Sequence, residues 1–319
     1  MSIKVNGYLY SEKHGAVTLQ SADIAYITGF EDVTELRLEL KGKYSSDDLM
    51  PLATLGKLDA FFVHNWKNLD LTALAVLSNL RSLQLDNRKI ADISPLAALH
   101  NLTLLSAVAM QISDITPLAG LTQLNYLSLS QNKISDITPL SSLVNLERLD
   151  LYHNPITDIT PLSALAKLTD LSLSCDKIAD MSPLASLVNL KELCLYYKIS
   201  DFTPLLNLEN LEFLSLMKCQ MTDIPPIAAL PKLTCLHLDS NQISDISPLV
   251  VCKNLTKLDL SDNQITDITP LAGLVNLKHL RLENNPITDI TPIAGLNLKY
   301  FDLCKTSKPT PKLKPKLPK

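Results

Sequence analysis

Glycine and aromatic residues are scarce in this chain of 319 residues, which contains 8 glycines and 5% aromatic residues. Nucleotide-binding loops need closely spaced glycines so that backbone amides can approach phosphate groups, and the sequence contains no such loop. The hydrophobic fraction is nevertheless 46%, so the core must be built from aliphatic side chains. No apolar run approaches the roughly 18–20 residues that a membrane-spanning helix requires.

Signals for targeting and for metal binding are also missing from the sequence. The N-terminus lacks the basic start and the apolar run of a secretory signal peptide. The six cysteines form neither a Cys-x-x-Cys pair nor a zinc-ligand spacing, which predicts reduced thiols and no metal. We therefore expect a cytoplasmic protein without a cofactor, although the sequence leaves export without a cleavable signal open.

Basic charge is concentrated at one end of the chain. Six of the 29 Lys and Arg residues lie in residues 305–319, so residues 1–304 hold 23 basic residues against all 33 acidic ones. This acidic excess argues against nucleic acid as a partner, because few cations are available to replace phosphate counterions. The Lys- and Pro-rich segment 305–319 is predicted to be a disordered tail, either a solubilising extension or a docking arm for an acidic partner.

The dominant feature is a repeat of 22 residues that is written eleven times between Leu58 and Leu298. Its consensus is Leu-x-x-Leu-x-Leu-x-x-Asn-x-Ile-x-Asp-Ile-Thr/Ser-Pro-Leu-x-x-Leu-x-x, and residues 124–145 are the cleanest copy. One such unit cannot bury its own leucines, so neighbouring units must stack. The predicted fold is an α/β, right-handed, curved leucine-rich-repeat solenoid, with a parallel sheet on the concave face and short 3₁₀ or helical turns on the convex face.

Each part of the repeat has a structural explanation. The Leu-x-x-Leu-x-Leu segment alternates inward and outward residues, as a short strand does. The asparagine in the ninth position is predicted to bond the backbone of its own turn and of the next repeat. Ser or Thr before proline is the N-cap pattern of a helix, and the short distance to the next leucine limits this helix to one 3₁₀-like turn.

An aspartate occurs in every copy, from Asp70 to Asp289. Stacking would place these carboxylates roughly 5 Å apart, so each of them must be compensated individually. We favour a hydrogen bond from the backbone just ahead of each aspartate. A calcium-binding edge is the alternative, although calcium requires about six to eight converging oxygens and each repeat offers one acid.

The repeats of residues 58–303 resemble the 22-residue leucine-rich repeats of bacterial internalins, which share the Asp-Ile-Ser/Thr-Pro-Leu segment. The resemblance implies a non-enzymatic module that binds a protein or peptide ligand on its concave sheet. A regulatory scaffold for an enzyme, such as a phosphatase subunit with the same period, is the alternative. The expected partner is therefore a protein or peptide, without nucleic acid or a membrane span, and the expected state is a monomer.

Three segments are predicted from the position of the repeats. Residues 1–32 form a strand-rich cap with a degenerate half repeat, and residues 33–304 form the solenoid of about twelve repeats plus a terminal half repeat. Residues 305–319 form the tail. Alternation around Asn6-Gly7 predicts strands in residues 1–20, which would close the open end of the stack.

The outward positions of the middle strands hold an unusual number of large amphipathic side chains. Such side chains supply the contact area of interface hot spots, which favours a ligand-binding face. Cross-strand stacking that stabilises the sheet is an equally weighted explanation. The predicted aromatic group consists of Tyr126, Tyr152, Tyr196, Tyr197, Phe213 and Met217.

A charged group follows on the later strands. His237, Asp259 and Arg281 are predicted to contribute to the ligand-binding face, although Asp259, Arg281 and Asp302 can instead neutralise one another. Between the two groups, the repeat that begins at Leu190 has 21 residues and has lost its asparagine. We expect this shortened turn to disturb the stack locally and to re-aim the neighbouring tyrosines.

Catalysis is not expected from this arrangement. Cys194 and His237 fall two strands apart, roughly 10 Å, which is too far for a nucleophile and its base. An open sheet also lacks the enclosed pocket in which acid–base chemistry usually takes place.

Overall fold

The computed structural model divides into two compact units, Met1–Leu168 and Thr169–Lys319, and each unit is described by itself. Both units are stacks of leucine-rich repeats, in which a parallel sheet and a series of 3₁₀ helices enclose a leucine core. The described residues are 2–5, 8–11, 16–20, 34–39, 51–52, 54–64, 71–86, 90–199, 201–224 and 230–303.

The first unit begins with an antiparallel pair of strands, β1 (Ser2–Val5) and β2 (Tyr8–Ser11). A parallel sheet follows, in which each strand pairs with the next along the chain. Strands in residues 1–20 are thus confirmed, and the third of them belongs to the repeat sheet. The parallel strands are β3 (Ala16–Gln20), β4 (Glu35–Glu39), β5 (Ala60–His64), β6 (Ser82–Asp86), β7 (Leu104–Val108), β8 (Tyr126–Ser128) and β9 (Arg148–Asp150).

The second unit contains a parallel sheet of the same kind. Its strands are β10 (Asp170–Ser174), β11 (Glu192–Tyr196), β12 (Phe213–Met217), β13 (Cys235–His237), β14 (Lys257–Asp259), β15 (His279–Arg281) and β16 (Tyr300–Asp302). Pairing joins equivalent positions of successive repeats, as Leu236 with Leu258 shows. The period of the sequence therefore sets the strand register.

The 3₁₀ helices lie opposite the sheets and are three to six residues long. In the first unit they span Leu71–Val76, Ser94–Ala98, Thr116–Leu118, Thr138–Ser142 and Thr160–Ala164. In the second unit they span Ser182–Ser186, Thr203–Asn207, Ser247–Val251, Thr269–Gly273 and Thr291–Ile293. The prediction of short 3₁₀ turns is confirmed for these copies.

The core of each unit is a set of aliphatic columns. In the repeat that starts at Leu124, the inward residues Leu127, Leu129, Ile134 and Leu140 are all 0% exposed. Burying one such side chain contributes roughly 2 kcal/mol. Because the columns continue through successive repeats, each layer is covered by the layer above it.

The aspartates that recur in each repeat cap the 3₁₀ helices. Asp136 Oδ1 accepts a hydrogen bond of 2.8 Å from the backbone N–H of Thr138, and eight other aspartates repeat this bond. The structural explanation of the aspartate column is confirmed for these nine. The prediction that Ser or Thr is the N-cap residue is wrong. Thr138 is the first residue of its helix, the N-cap position is held by Ile137, and no side-chain hydrogen bond is made from that position.

The asparagines form a buried ladder between repeats. Asn132 Oδ1 accepts from the N–H groups of Met110 and Ile112, and its Nδ2 donates to the carbonyls of Ala107 and Leu129. The predicted bonds between repeats are present, but they run to the preceding repeat rather than to the next one. One side chain thereby supplies hydrogen-bond partners for the buried N–H and C=O groups where the backbone reverses.

The short repeat at Leu190 does not disturb the sheet. Leu193 pairs with Leu214, and Tyr196 pairs with Met217 in the same register as elsewhere. The prediction that the tyrosines would be re-aimed is therefore wrong for Tyr196. Tyr197 has the left-handed φ of 70° that the equivalent residues of full-length repeats also have, such as Gln131 at 58° and His153 at 61°. The missing residue therefore falls after Tyr197, in the turn.

The division into cap, solenoid and tail at residues 32 and 304 stays a prediction. Residues 304–319 lie outside the described residues, as does Asp70 of the aspartate column. Within the described part of the chain, none of the helices has both the length and the apolar character needed to cross a bilayer.

Candidate ligand-binding face

Two of the predicted aromatic residues belong to the first unit. Tyr126 lies in β8, paired with Arg148 of β9, and is half-buried. Tyr152 follows β9, and its backbone N–H donates to Asp150 Oδ1 over 3.0 Å. The Tyr152 ring stacks on His153 with a centroid distance of 5.3 Å. The prediction that these tyrosines share one surface with the later aromatic residues stays a prediction.

The other four members of the aromatic group lie close together in the second unit. Tyr196 ends β11 and Met217 ends β12, and the two residues are paired across the strands. Phe213 begins β12, and Tyr197 follows Tyr196 in the turn. All four side chains are half-buried. Tyr196, Phe213 and Met217 lie on the outward side of the sheet, because alternate residues of these strands point into the leucine core.

His237 extends this group onto the next strand. Its ring meets Phe213 edge-on, with centroids 5.1 Å apart and planes at 74°. Cys235, two residues earlier on β13, places its Sγ 3.6 Å from His237 Nε2. Burial raises the pKa of the Cys235 thiol to about 11. The thiol is therefore protonated at neutral pH, and this pair does not supply an activated nucleophile.

The charged group is organised around Arg281. Its Nη1 lies 3.1 Å from Asp259 Oδ2, and its Nη2 lies 2.9 Å from Glu283 Oε2. Asp259 is only 6% exposed, and its Oδ1 accepts from both the N–H and the hydroxyl of Ser261. A buried carboxylate needs partners of this kind, so Asp259 is held in a fixed position by Arg281 and Ser261.

The last strand adds a second set of polar contacts. Tyr300 Oη donates to Asp302 Oδ2 over 3.1 Å, and the ring of Tyr300 stacks on His279. The second contact of Arg281 is with Glu283, which the sequence did not suggest. Together these strands surround a shallow depression of about 320 Å³ that is lined by His237, Lys257, Leu258, Asp259, His279, Arg281 and Tyr300.

Burial and neighbouring carboxyl groups shift the pKa values of three side chains in this region. A hydrogen bond with Asp302 is the main cause that raises the pKa of Glu283. Burial, followed by the charge of Asp259, raises the pKa of Asp239. The pKa of Arg281 is raised as well, chiefly by the charge of Asp259. Negative charge therefore exceeds the positive charge that Arg281 supplies.

The sequence located the outward residues but missed several of their contacts. The structure brings Phe213, His237, Asp259 and Arg281 onto neighbouring strands, as predicted from the repeat register. The contact between Cys235 and His237 was missed, although residues two apart on one strand share a face. In the described residues, no group of three or more His, Cys, Asp or Glu side chains is placed to hold a metal ion.

Comparison with known proteins agrees with this architecture. The family model of leucine-rich repeats in two copies matches residues 100–142, 122–164, 144–186, 209–250 and 253–295. The solved structure of an internalin (inlF) from Listeria monocytogenes is 37% identical, covers 92% of this chain and 87% of that chain, and has a TM-score of 0.77. This chain belongs to the internalin-like leucine-rich-repeat proteins.

Two more distant structures share the fold of this internalin-like protein. The leucine-rich-repeat protein LIC12759 of Leptospira interrogans is 23% identical, with coverage of 86% and 79% and a TM-score of 0.67. A chain of the solved Toll–Spatzle complex of Drosophila is 16% identical, with coverage of 91% of this chain and 47% of that chain and a TM-score of 0.65. No match was found among the curated proteins. Proteins of this family are typically interaction modules rather than enzymes.

Proposed function

We propose that this internalin-like protein is a non-enzymatic module that binds a protein or peptide on the outward face of the sheet in its second unit. The observation that carries the proposal is the group formed by Tyr196, Phe213 and Met217 beside His237. These side chains are half-buried and lie on adjacent strands. Aromatic and methionine side chains on a rigid surface supply contact area at low entropic cost.

The fixed polar groups beside the aromatic group support the same role. Asp259 is held by Ser261 and Arg281, so it is already oriented before a ligand arrives. Arg281 is exposed enough to contact a ligand, with 47% of its side chain accessible. Preorganised polar groups of this kind give specificity, while the apolar centre gives most of the affinity. The enzyme-scaffold alternative is not favoured by any contact in this face.

The test compares two triple variants of the full chain. The first is Tyr196→Ala/Phe213→Ala/Met217→Ala on the outward face. The second is Leu206→Ala/Val251→Ala/Val275→Ala on the 3₁₀ side, where these residues are 42%, 59% and 67% exposed. Proteins captured by the unchanged chain are identified, purified and titrated against all three proteins.

We expect the first variant to lose affinity by at least about 30-fold, because truncating one hot-spot residue costs about 2 kcal/mol. The control variant should bind as the unchanged chain does. The control variant should retain the unfolding midpoint of the unchanged chain within a few degrees, since its three side chains are exposed. Binding by the half-buried aromatic variant is measured below its own unfolding midpoint. Equal binding by both variants would show that the aromatic group only stabilises the sheet.

A further inference from the structure

Lysines and acids occupy different edges of the sheet in the later repeats of the second unit. In residues 230–303, every lysine lies in a segment that leads into a strand, no later than the first residue of that strand. These lysines are Lys232, Lys253, Lys257, Lys278 and Lys299. Every acid of the same residues lies at or after the last residue of a strand and before the next 3₁₀ helix. The edge at which the strands begin is therefore basic.

A groove of about 540 Å³ follows this edge from the segment before β12 to the segment before β15. Lys232 and Lys278 line it two repeats apart, and Glu212 is the acid among its lining residues. Lys232 is exposed and Lys278 is half-buried. Lys232 Nζ donates to the uncharged Asn210 Oδ1 over 2.7 Å. An ammonium group has three donors, so Lys232 can bind a further acceptor while it keeps this contact.

Asparagine side chains between the two lysines are already fixed in place. Asn254 Nδ2 donates to Pro231 O over 2.9 Å. Asn276 Nδ2 donates to Lys253 O over 2.9 Å as well. Each of these amides keeps a second N–H group. The groove thus combines ammonium groups with amides that are oriented before a ligand arrives, and this combination suits an anionic ligand.

We propose that this basic groove binds an extended acidic segment of a partner protein, with carboxylates paired to Lys232 and Lys278. The two lysines are two strand spacings apart, roughly 10 Å, and an extended peptide advances roughly 3.3 Å per residue. Acidic residues three positions apart on the segment therefore face both lysines. Pairs at an exposed edge are individually weak, so the groove adds specificity and a faster encounter rather than most of the affinity.

The charge around the groove favours a peptide over nucleic acid. Acids outnumber basic residues in residues 230–303, so a long polyanion meets repulsion where it extends beyond the groove. A short acidic segment contacts the basic edge alone. Because the groove lies at the edge of the sheet, and the aromatic group around Phe213 lies on the outward face, this inference goes beyond the proposed ligand-binding face and does not depend on it.

The test measures binding to the full chain by fluorescence anisotropy. The probe is a fluorescent peptide of Glu-Gly-Ser repeats, and the same peptide with Gln in place of Glu is its uncharged control. The groove variant is Lys232→Gln/Lys278→Gln. The control variant is Lys177→Gln/Lys198→Gln, which removes the same charge from exposed turns of the same unit. Both variants keep the lysines of residues 305–319, so any contribution from these lysines is the same in each.

We expect the groove variant to bind the acidic peptide at least about fivefold more weakly than the control variant does, because it has lost both paired charges. Glu212→Gln should bind about twofold more tightly than the unchanged chain, since it removes the acid of the groove. Such a gain cannot come from a folding defect. The differences should largely disappear at about 0.5 M NaCl, where the screening length falls below about 5 Å.

Three outcomes would overturn the proposal. Equal binding by the two lysine variants would show that the acidic peptide is held by general charge or by the lysines of residues 305–319. Tighter binding of a DNA strand of equal charge, lost in the groove variant, would make the occupant nucleic acid. A molecular mass that doubles with concentration in the unchanged chain and not in the groove variant would make the occupant the acidic edge of a second copy.

Discussion

The second unit contains two kinds of repeat, and they differ in how the buried turn is satisfied. In the later repeats, the ninth position holds Asn241, Asn263 and Asn285, each buried. In the earlier repeats, the one that starts at Leu190 has no asparagine, and the one that starts at Leu211 has Cys219 in its place. The two regions share the same strands and 3₁₀ helices, so the ladder position can be compared by itself.

The asparagine and the cysteine contact the same carbonyl groups with different strength. Asn263 Nδ2 donates to Leu238 O and Ser261 O over 2.9 and 3.1 Å, and its Oδ1 accepts from the N–H of Ile243. Cys219 Sγ lies 3.5 Å from Leu195 O and 3.6 Å from Met217 O. A thiol is a weak donor and a weak acceptor, so the earlier region is held mainly by its leucines.

The comparison separates the structural role of the leucines from that of the asparagine. Strand register is the same in both regions, as the pairs Leu193–Leu214 and Leu236–Leu258 show. The leucine columns therefore set the stacking, while the asparagine supplies polar contacts that one repeat can lose. The repeats that lack the asparagine are also the ones that contain the aromatic group around Tyr196.

The largest expected effect comes from removing the ladder where it is complete. Asn263→Ala should lower the free energy of unfolding by about 3 kcal/mol or more, because several buried backbone groups lose their partner at once. Cys219→Ala should cost about 1 kcal/mol, since it removes a small side chain and weak contacts. Denaturant unfolding followed by circular dichroism measures both. Equal losses would mean that the thiol substitutes fully for the amide.

A smaller change, an increase in the free energy of unfolding, is expected when an asparagine is placed back in the ladder. Cys219→Asn should raise the free energy of unfolding by about 1 kcal/mol, because the amide can donate to Leu195 O as Asn263 does to Leu238 O. Its Oδ1 can accept from the backbone N–H of Ile199, which lies 20 residues earlier, as Asn263 Oδ1 accepts from the N–H of Ile243.

Cys175→Asn is the matched control for this gain. Cys175 is also buried, and burial raises the pKa of its thiol to about 12, but it lies one position before the asparagine column. Cys175 Sγ lies 3.8 Å from Leu173 O, a carbonyl of its own repeat. An amide one position out of the asparagine column would not make the bond to the preceding repeat that Asn263 makes, so this variant should be destabilised. Stabilisation by both variants, or by neither, would refute the register argument.

The smallest expected effect on stability comes from removing an aspartate at the start of a 3₁₀ helix, and it should be the same in both regions. Hydrogen bonds from Thr203 and Thr269 lower the pKa of Asp201 and of Asp267. A lowered folded-state pKa gives stability that is present above the unfolded value, 3.8, and is lost as pH falls through the folded value. Asp201→Ala and Asp267→Ala should therefore lower the unfolding midpoint at pH 7 by similar small amounts, and by less at about pH 2.

Thermal unfolding of both variants at the two pH values checks this equality. If Asp201→Ala lowers the unfolding midpoint clearly less than Asp267→Ala does, the shortened repeat at Leu190 also alters the 3₁₀ side. Equal effects would confine the interruption to the asparagine ladder.

Much of the fold was predictable because the repeat fixes the neighbours of each residue. Leu127 must pair with Leu149 once the period is known, and the outward position of Phe213 follows from alternation along the strand. The helix cap was predicted less well. Thr138 and Asp136 are both typical capping residues, and only the backbone conformation decides between them.

The candidate face was predictable as a set of residues and not as a set of contacts. The sequence placed His237, Asp259 and Arg281 on neighbouring strands. It could not show that Arg281 turns towards Glu283, because that choice depends on side-chain rotamers.

The sequence by itself thus determined the columns: leucines inward, aspartates at the helix starts, asparagines in the turns. A fixed period leaves no other way to bury the leucines of every copy. Tertiary structure alone decided the direction of the asparagine bonds, the use of Cys219 in their place and the partners of Arg281. These depend on which polar groups lie within about 3 Å after the repeats have stacked, and that distance is not written in the period.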